Sequence, residues 1–510
     1  MSGEFECRLL NGLCRLLYSG EYKRFAAPCD VGRVQGEYLA ELLRRNADTV
    51  FGRKYGFEKI RGYKDFARRV PLMKYEDFKP YIEAMANGAE NVLTSEPVLL
   101  FELTSGSSGG KKLVPYTPSL KREFRRGIKP WLCDIYTRLP KVRSGKSYWS
   151  ITPVTEGKSR TSSGIPVGFE EDAEYFGAVE QGIMRRIFAV DGSVKFPENM
   201  ERFYFETSRQ LLNCGSLTLI SVWNPTFLTI LCDHIRNNAA ELAKTLPPKR
   251  RGEFLRAASL NRFERVFPKL RIISCWADGS AADHIAELRD RFRGVYIQPK
   301  GLLATECFVS FPLVGEEGSR LSIRSHFFEF RRLSDGEIVT ASGLGRGEYE
   351  VIVTTGGGFY RYCIGDIIEV LETYPDRPPR IRFLRRGGAV CDLFGEKLTE
   401  EFVRGALKNL GISGSFCLLA PFGKRYRLYT TAENVSSETL DSALREGFHY
   451  DYCRKLGQLD CAEVVMKTGD PNRDYIEKLT ADGMRVGDIK PAVLSSRGGW
   501  EYFFTERNLQ

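Results

Sequence analysis

Apolar residues return with helical spacing through "VGRVQGEYLAELLRRN" (Val31 to Asn46), where Val31, Val34, Leu39, Leu42 and Leu43 line one face. The opening stretch "MSGEFECRLLNGLCRLLYSG" mixes charges among leucines and predicts an amphipathic helix instead of a cleaved leader. In "DFARRVPLMKYEDFKPYIEAMANG" (Asp65 to Gly88) two short helices are predicted around the Val70–Pro71 break, because a residue before proline is driven out of helical geometry. A helical cap therefore opens the chain. After it the pattern changes to short β-prone runs: "PVLLFEL", "KKLVPYT", "SYWSITPV", "LTLISVWN", "LRIISCW", "GVYIQPKGLLA", "RLSIRSHFFEF" and "GEYEVIVTT". Helices from "SLKREFRRGI" and "AADHIAELRDRF" fall between some of them. The mixture predicts an α/β domain with large mixed sheets.

The pattern shifts again over Arg380 to Gly411, where a basic, glycine-bearing connection leads into a new helix. Beyond it "SFCLLAPF", "RYRLYTTAE", "SSETLDSALREGFHYDYCRKLG", "AEVVMKTG" and "PNRDYIEKLTADG" read β-β-α-β-α, a small lobe able to fold on its own core. The expected organisation is an N-terminal domain over 1–385, a hinge over 386–397 and a small, mobile C-terminal α/β lobe over 398–510.

A length of 510 residues exceeds one ordinary hydrophobic core, in keeping with two domains. The net charge of +10 is mild over such a chain, and the basic runs "LKREFRRGIK" and "PPKRRGEFLR" read as solvated helix faces, so no nucleic-acid partner is expected. Thirteen cysteines without a C-x-x-C pair suit a reducing compartment, and no run reaches the ~18 apolar residues of a membrane span. The expectation is a cytoplasmic protein with no membrane partner; the pattern does not set an oligomeric state.

Candidate chemistry centres on "LTSGSSGGKKLVPYT" (Leu103 to Thr117). Consecutive Gly and Ser residues let backbone N–H groups converge, and hydroxyls and lysines add donors, a concavity suited to polyphosphate. It is not a P-loop. That motif needs G-x-x-x-x-G-K-[ST] opening a helix, whereas Lys111 stands five places after Gly106 and a strand follows. In "KGLLATECFVSFPL", Thr305 and Glu306 end an apolar run, where a hydroxyl can meet phosphate and a carboxylate can ligate Mg²⁺. In "GFYRYCIGDIIEV", Asp366 follows Gly365 at a turn and can accept both ribose hydroxyls of a nucleotide. Each motif alone is matched by a bland alternative: a flexible surface loop, a strand end, a turn-capping Asp.

Taken in order, the three motifs resemble those of the adenylate-forming superfamily. "FGRKYGFEKI", "DFARRVPLMKYEDFKPYIE", "VLTSEPVLLFELTSGSSGGKKLVPYT", "KGLLATEC" and "YRYCIGDIIEV" are similar to the auxin-responsive acyl-acid amido synthetases of plants and their bacterial relatives, over Phe51 to Val370. The resemblance implies that a carboxylic acid and ATP give an acyl-AMP and pyrophosphate, after which an amine, by default an amino acid, takes the acyl group. It implies phosphate contacts from Ser105, Gly106, Ser107, Ser108, Gly109 and Lys111 or Lys112. Thr305 and Glu306 would meet the α-phosphate and Mg²⁺, Tyr360 and Asp366 the base and ribose, and Asp278, Gly279 and Ser280 of "WADGSAADHIAEL" the adenine. Lys397 in "FGEKLTEE" matches the lysine that reaches the α-phosphate, with Lys490 in "GDIKPAV" as a second candidate. Trp223 and Phe227 suggest an apolar acid, or core packing. The four histidines His234, His284, His326 and His449 are scattered and read as structural. Three rivals stand beside the amide-forming reading: an acyl-coenzyme A ligase with the same first step, a non-catalytic nucleotide-binding scaffold, and a polyphosphate- or nucleic-acid-binding module whose binding would depend steeply on salt.

Overall fold

The computed structural model describes residues 2–105, 111–150, 159–168, 178–195, 199–387, 390–412, 415–468, 471–482 and 492–504. The chain divides into two compact units, one built from Met1–Leu103 and Leu113–Arg385, the other from Thr104–Lys112 and Arg386–Gln510.

Helices open the first unit. Ser2–Ala26 is followed by Val31–Arg45, whose first turn is closed by Asp30 accepting from Arg33 N, and by Tyr63–Arg69 and Tyr75–Ala86 on either side of the proline break. The helix expected after the glycine-rich loop runs further than the sequence suggests, over Pro118–Arg138 and through Pro130. Thr117 fixes its start by accepting from Leu120 N at 3.1 Å. Its buried face, including Leu120, Phe124, Ile128 and Leu132, enters the main core.

Three sheets follow. Lys146–Trp149, Leu217–Ser221, Ile272–Cys275 and Tyr296–Pro299 form an all-parallel sheet in that order. The two middle strands are fully buried runs, as expected where helices cover both faces. A seven-stranded sheet is centred on the antiparallel pair Gly347–Thr354 and Tyr362–Glu372. The loop-flanking strands Leu100–Ser105 and Lys111–Tyr116 belong to a third, four-stranded sheet.

The single strand expected in "RLSIRSHFFEF" is two, Ser319–Leu321 and Phe327–Arg332. Gln35 explains the break. Its side-chain amide donates to the carbonyls of Ile323 and His326 and accepts from Phe328 N at 2.8 Å, satisfying the backbone between the strands in place of a ladder.

In the second unit Cys417–Phe422 pairs antiparallel with Arg425–Thr430, which pairs parallel with Glu463–Met466. The one helix expected after them is two, Ser437–Leu444 and Phe448–Lys455, parted at Gly447. A Cβ there would meet the Phe402 ring at 3.0 Å, so the close approach that splits the helix needs glycine. No helix among the described residues is long and apolar enough to cross a membrane.

Candidate active site

Beyond the parallel strand ending at Pro299 the chain doubles back on itself. Leu302 O accepts from Val309 N at 3.0 Å and Ser310 N at 3.1 Å, and Ser310 Oγ accepts from Leu302 N at 2.9 Å. Ala304 and Cys307 exchange backbone hydrogen bonds at 3.0 and 3.2 Å, which puts Thr305 and Glu306 at the tip of a two-residue hairpin. Gly301 permits the close return, since a Cβ would stand 2.0 Å from Ser310 O.

Although it sits at a turn, Glu306 is only 6% exposed. Tyr116 donates its hydroxyl to Thr305 O at 2.6 Å, and Tyr362 donates to Glu306 Oε1 at 3.3 Å. A second set of bonds holds the hairpin from behind. Phe308 N donates to His326 Nε2 at 2.9 Å, which leaves the ring proton on Nδ1, 3.0 Å from Glu123 Oε2. Glu123 also accepts from Tyr38 at 2.6 Å and from Gly356 N at 3.1 and 2.9 Å. His326 is thus structural, as its sequence suggests, and it positions the turn that carries Thr305 and Glu306.

Asp366 reaches the same region through a bulge. Ile367 pairs with Glu350 and Cys363 with Ile352, so Ile364, Gly365 and Asp366 together oppose Val351 alone. Gly365 adopts φ +80°, a conformation that costs an ordinary residue but not glycine. A bulge of this kind re-aims a side chain, and here the side chain is Asp366, 5% exposed. The buried thiol of Cys307 lies within electrostatic reach of both carboxylates: burial pushes it well above its ordinary pKa, and Glu306 and Asp366 push it further. The geometric link between the two motifs is Tyr362, which bonds Glu306 from the strand that carries Asp366.

Tyr360 does not join them. It is fully buried, stacked on Phe51 at 4.9 Å and edge-on to Phe57 at 5.0 Å, and its hydroxyl donates to Leu93 O at 2.8 Å. Tyr360, which the resemblance sets against the nucleotide base, is enclosed by these aromatic rings. The tyrosine beside the carboxylate is Tyr362, and a signal for it was present: in "YCIGD" it stands four residues before Asp366 and begins the strand. Arg361, between the two tyrosines, takes φ +49° and is clamped by Glu329, with its Nε 3.0 Å from each carboxylate oxygen. Its Nη1 donates at 2.8 Å to the carbonyls of Ala67 and Val70.

Other expected residues lie as follows. Ser105 ends one strand and Lys111 begins the next, with Lys112 buried; Gly106, Ser107, Ser108 and Gly109 fall outside the described residues, as does Lys490. Asp278 stands at the N-cap position of the 3-10 helix Gly279–His284, without a side-chain capping bond, and that helix contains Gly279 and Ser280 beyond the C-terminal end of the strand Ile272–Cys275. Lys397, in the second unit, takes φ +49° next to the buried Glu396, whose carboxylate accepts from Leu393 N at 2.6 Å, from Phe394 N at 2.8 Å and from the Tyr426 hydroxyl. Trp223 is 40% exposed, whereas Phe227 is buried against Phe203 and Tyr204. Of the two aromatics only Trp223 faces solvent.

Burial pushes the Asp278 carboxyl up to about 6, with Arg382 pulling the other way. Since the folded value exceeds the unfolded one, stability falls as pH rises from about 4 to about 6, by about 1–3 kcal/mol. Asp278→Asn is expected to lose that slope and to be the more stable protein at pH 7.5. Urea unfolding at pH 4 and 7.5 checks it: equal pH dependence in the two proteins would remove Asp278 as the cause.

Among the described residues no three His, Cys, Asp or Glu side chains gather as a metal cluster. A magnesium ion of the kind that keeps its waters and takes one or two carboxylates plus phosphate oxygens needs no such cluster. Glu306 fits it: a buried carboxylate whose hydroxyl neighbour, Tyr362, leaves the charge uncompensated.

Comparison with known proteins matches residues 26–250 to the GH3 family N-terminal domain and 320–386 to the GH3 family central domain, together more than half of the chain. The indole-3-acetic acid-amido synthetase GH3.3 of Arabidopsis thaliana is 23% identical over 452 residues, covering 79% of this chain and 74% of its own. GH3.6, of the same name and organism, is 22% identical over 552 residues, covering 88% and 86%. The solved AtGH3.15 acyl acid amido synthetase in complex with 2,4-DB superposes with a TM-score of 0.64 at 18% identity, over 97% of this chain and 95% of that one.

Proposed function

The chain belongs to the GH3 family, and from that premise we propose that it is an AMP-forming acyl-acid amido synthetase, joining a carboxylic acid to an amine. The observation that carries this reading is the Tyr362 hydroxyl on the buried Glu306, donated from the bulged strand that also carries the buried Asp366. It supports a nucleotide phosphate and ribose held at one place by residues of two motifs.

In the first step a carboxylate oxygen of the acid forms a bond to the α-phosphorus of ATP, and the bond to the pyrophosphate oxygen breaks. In the second a neutral amine forms the C–N bond, the acyl–oxygen bond to AMP breaks, and the amine proton leaves to solvent. Mg²⁺, on Glu306, would neutralise charge on the phosphates. Thr305 would bond the α-phosphate and Asp366 the ribose hydroxyls, while Asp278, Gly279 and Ser280 would border the adenine. Ser105, Gly106, Ser107, Ser108, Gly109 and Lys111 or Lys112 would hold the remaining phosphate oxygens, and Lys397 or Lys490 would supply positive charge as the pentavalent phosphorus forms. An acyl phosphate already has a good leaving group, so the reading asks for no nucleophilic serine or cysteine.

Asp366→Ala tests it. Two ribose hydroxyls lose a charged acceptor, each such bond being worth about 1.5–3 kcal/mol. ATP affinity by calorimetry should fall on the order of tenfold to a hundredfold; an unchanged affinity would sink the assignment. The product decides the acceptor. With a competent acid, ATP, pooled amino acids and small amines, mass spectrometry should find an amide and an equal amount of AMP. A thioester as sole product, made only with coenzyme A, would replace the amide reading.

A further inference from the structure

The helix Ser2–Ala26 carries two apolar faces. The inner one buries Cys7, Cys14, Tyr18 and Phe25, and polar bonds fix it in place: Asn11 Nδ2 donates to the carbonyls of Arg143 and Gly145 at 3.0 and 2.9 Å, and Tyr22 donates to Asp134 Oδ1 on the long helix at 3.0 Å. On the opposite side Phe5, Leu9, Leu13, Leu16 and Leu17 recur with helical spacing and stand in solvent, from 41% exposed at Leu13 to 71% at Phe5. A surface helix ordinarily has one apolar stripe, facing its own core. Among the described residues no other helix exposes more than one large apolar side chain, so the outer stripe is not the scatter that any surface shows.

Glycines lie among the leucines. Gly12 and Gly20 fall inside the helix, where glycine is the poorest former after proline, and a Cβ at either would meet nothing within 4 Å among the described residues. A second copy of the helix, laid antiparallel about a two-fold axis level with Cys14 and Arg15, accounts for both. Leu9 of one copy then lies over Gly20 of the other, Leu16 over Gly12, Leu13 beside Leu17, and Glu6 beside Arg24; the two-fold makes each contact twice. Charge selects this direction, since parallel copies would bring the acidic starts together and the basic ends together, and would align the helix dipoles. In the single chain Glu6 lies 3.9 Å from Arg186 and Arg24 lies 3.4 Å from Glu21, surface pairs worth little in water.

Size agrees. The five side chains present roughly 500 Å² of apolar surface, and two copies would together bury about 1,000 Å², the least that a specific interface needs. A bilayer suits the stripe less well: helices that lie on one have flanks rich in lysine and arginine, whereas the three glutamates of Ser2–Ala26 nearly balance its four basic residues. We propose that the outer face of Ser2–Ala26 is a self-association surface, on which two copies of this chain pair helix against antiparallel helix as a two-fold dimer. The proposal does not depend on the amido synthetase reading.

Sedimentation equilibrium of the full chain tests it, from about 0.5 to about 100 µM, the range in which a small apolar interface associates. Wild type should pass from monomer to dimer with a Kd on the order of 10 µM. Leu9→Glu with Leu16→Glu should raise that Kd at least about a hundredfold, because carboxylates would have to leave water, and should leave the dilute monomer folded by circular dichroism. Gly20→Leu separates a fitted pairing from general stickiness: it adds apolar surface, yet should weaken association at least about tenfold by filling the place that Leu9 of the other copy takes. Glu6→Arg and Arg24→Glu should each weaken the dimer, and the two together should restore it. A wild type that stays monomeric, a dimer indifferent to Leu9 and Leu16, tighter association of Gly20→Leu, or a charge exchange that restores nothing would overturn the proposal. Should the Leu9 and Leu16 variant not fold, Gly20→Leu and the charge exchange decide. A monomeric wild type that floats with vesicles of phosphatidylserine and phosphatidylcholine would overturn it too, and give the stripe to a lipid surface.

Discussion

Glu306→Gln is expected to slow acid-dependent exchange of labelled pyrophosphate into ATP on the order of 10²–10³-fold, with a much smaller change in nucleotide affinity. The buried carboxylate sits at a hairpin tip fixed from two sides, by Tyr116 on Thr305 O and by His326 on Phe308 N, so glutamine can take its place with little movement of the turn. Glutamine still offers Tyr362 an acceptor oxygen. What it lacks is the charge that would hold Mg²⁺ against the phosphates. A loss of several kcal/mol of stabilisation, concentrated where phosphate charge develops, corresponds to a rate effect of that size. The split matters more than the total: affinity falling as far as the rate would make Glu306 a ground-state binding residue, and wild-type exchange would place the metal elsewhere.

Arg361→Ala is expected to cost about 3–5 kcal/mol of stability, because removing one partner of a buried ion pair leaves the other charge unpaired. Glu329 is nearly inaccessible and would retain only the hydroxyl of Tyr63, 3.0 Å from Oε1. Two carbonyls, of Ala67 and Val70, would lose their donor in the same step. Activity should suffer as well, since Arg361 pins the start of the strand that bears Tyr362 and Asp366, and its own carbonyl accepts from Met73 N at 3.0 Å. Denaturant unfolding gives the first quantity. The double variant Arg361→Met with Glu329→Leu should recover a large share of the loss; if it is no more stable than the single one, the ion pair is not the source.

Local pattern revealed most elements because the forces that make them are local. The proline break after Val70 and the buried strands at Leu217–Ser221 and Ile272–Cys275 are each written in a few neighbouring residues. Misreadings arose where a distant residue intervened. Gln35 splits Ser319–Leu321 from Phe327–Arg332 across almost three hundred positions, which periodicity within "RLSIRSHFFEF" cannot register. That Tyr362 bonds Glu306 depends on a hairpin 56 positions earlier, which no pattern within "YRYCIGD" registers. Thr305, Glu306 and Asp366 were legible as motifs because each is a carboxylate or hydroxyl at a glycine-bearing turn. Trp223 was singled out in the sequence, but its meeting with Trp131 and Trp149 around Lys300 was not, because only the fold brings those residues together.

The knot at Glu123 also bears on how the first unit comes into being. It joins Tyr38, 85 positions earlier, to Gly356, 233 positions later, with His326 between. As the chain emerges from the ribosome, the opening helices and the long helix after the glycine-rich loop are complete well before residue 356 exists. Until then the Glu123 carboxylate lacks the Gly356 N–H that it accepts from in the fold. Such long-range closures slow folding, and this one can form only after residue 356 has been made. A chain stalled or cut before Gly356 would carry most of the helices and the hairpin with Glu306, but neither Tyr362 nor Asp366 to face it.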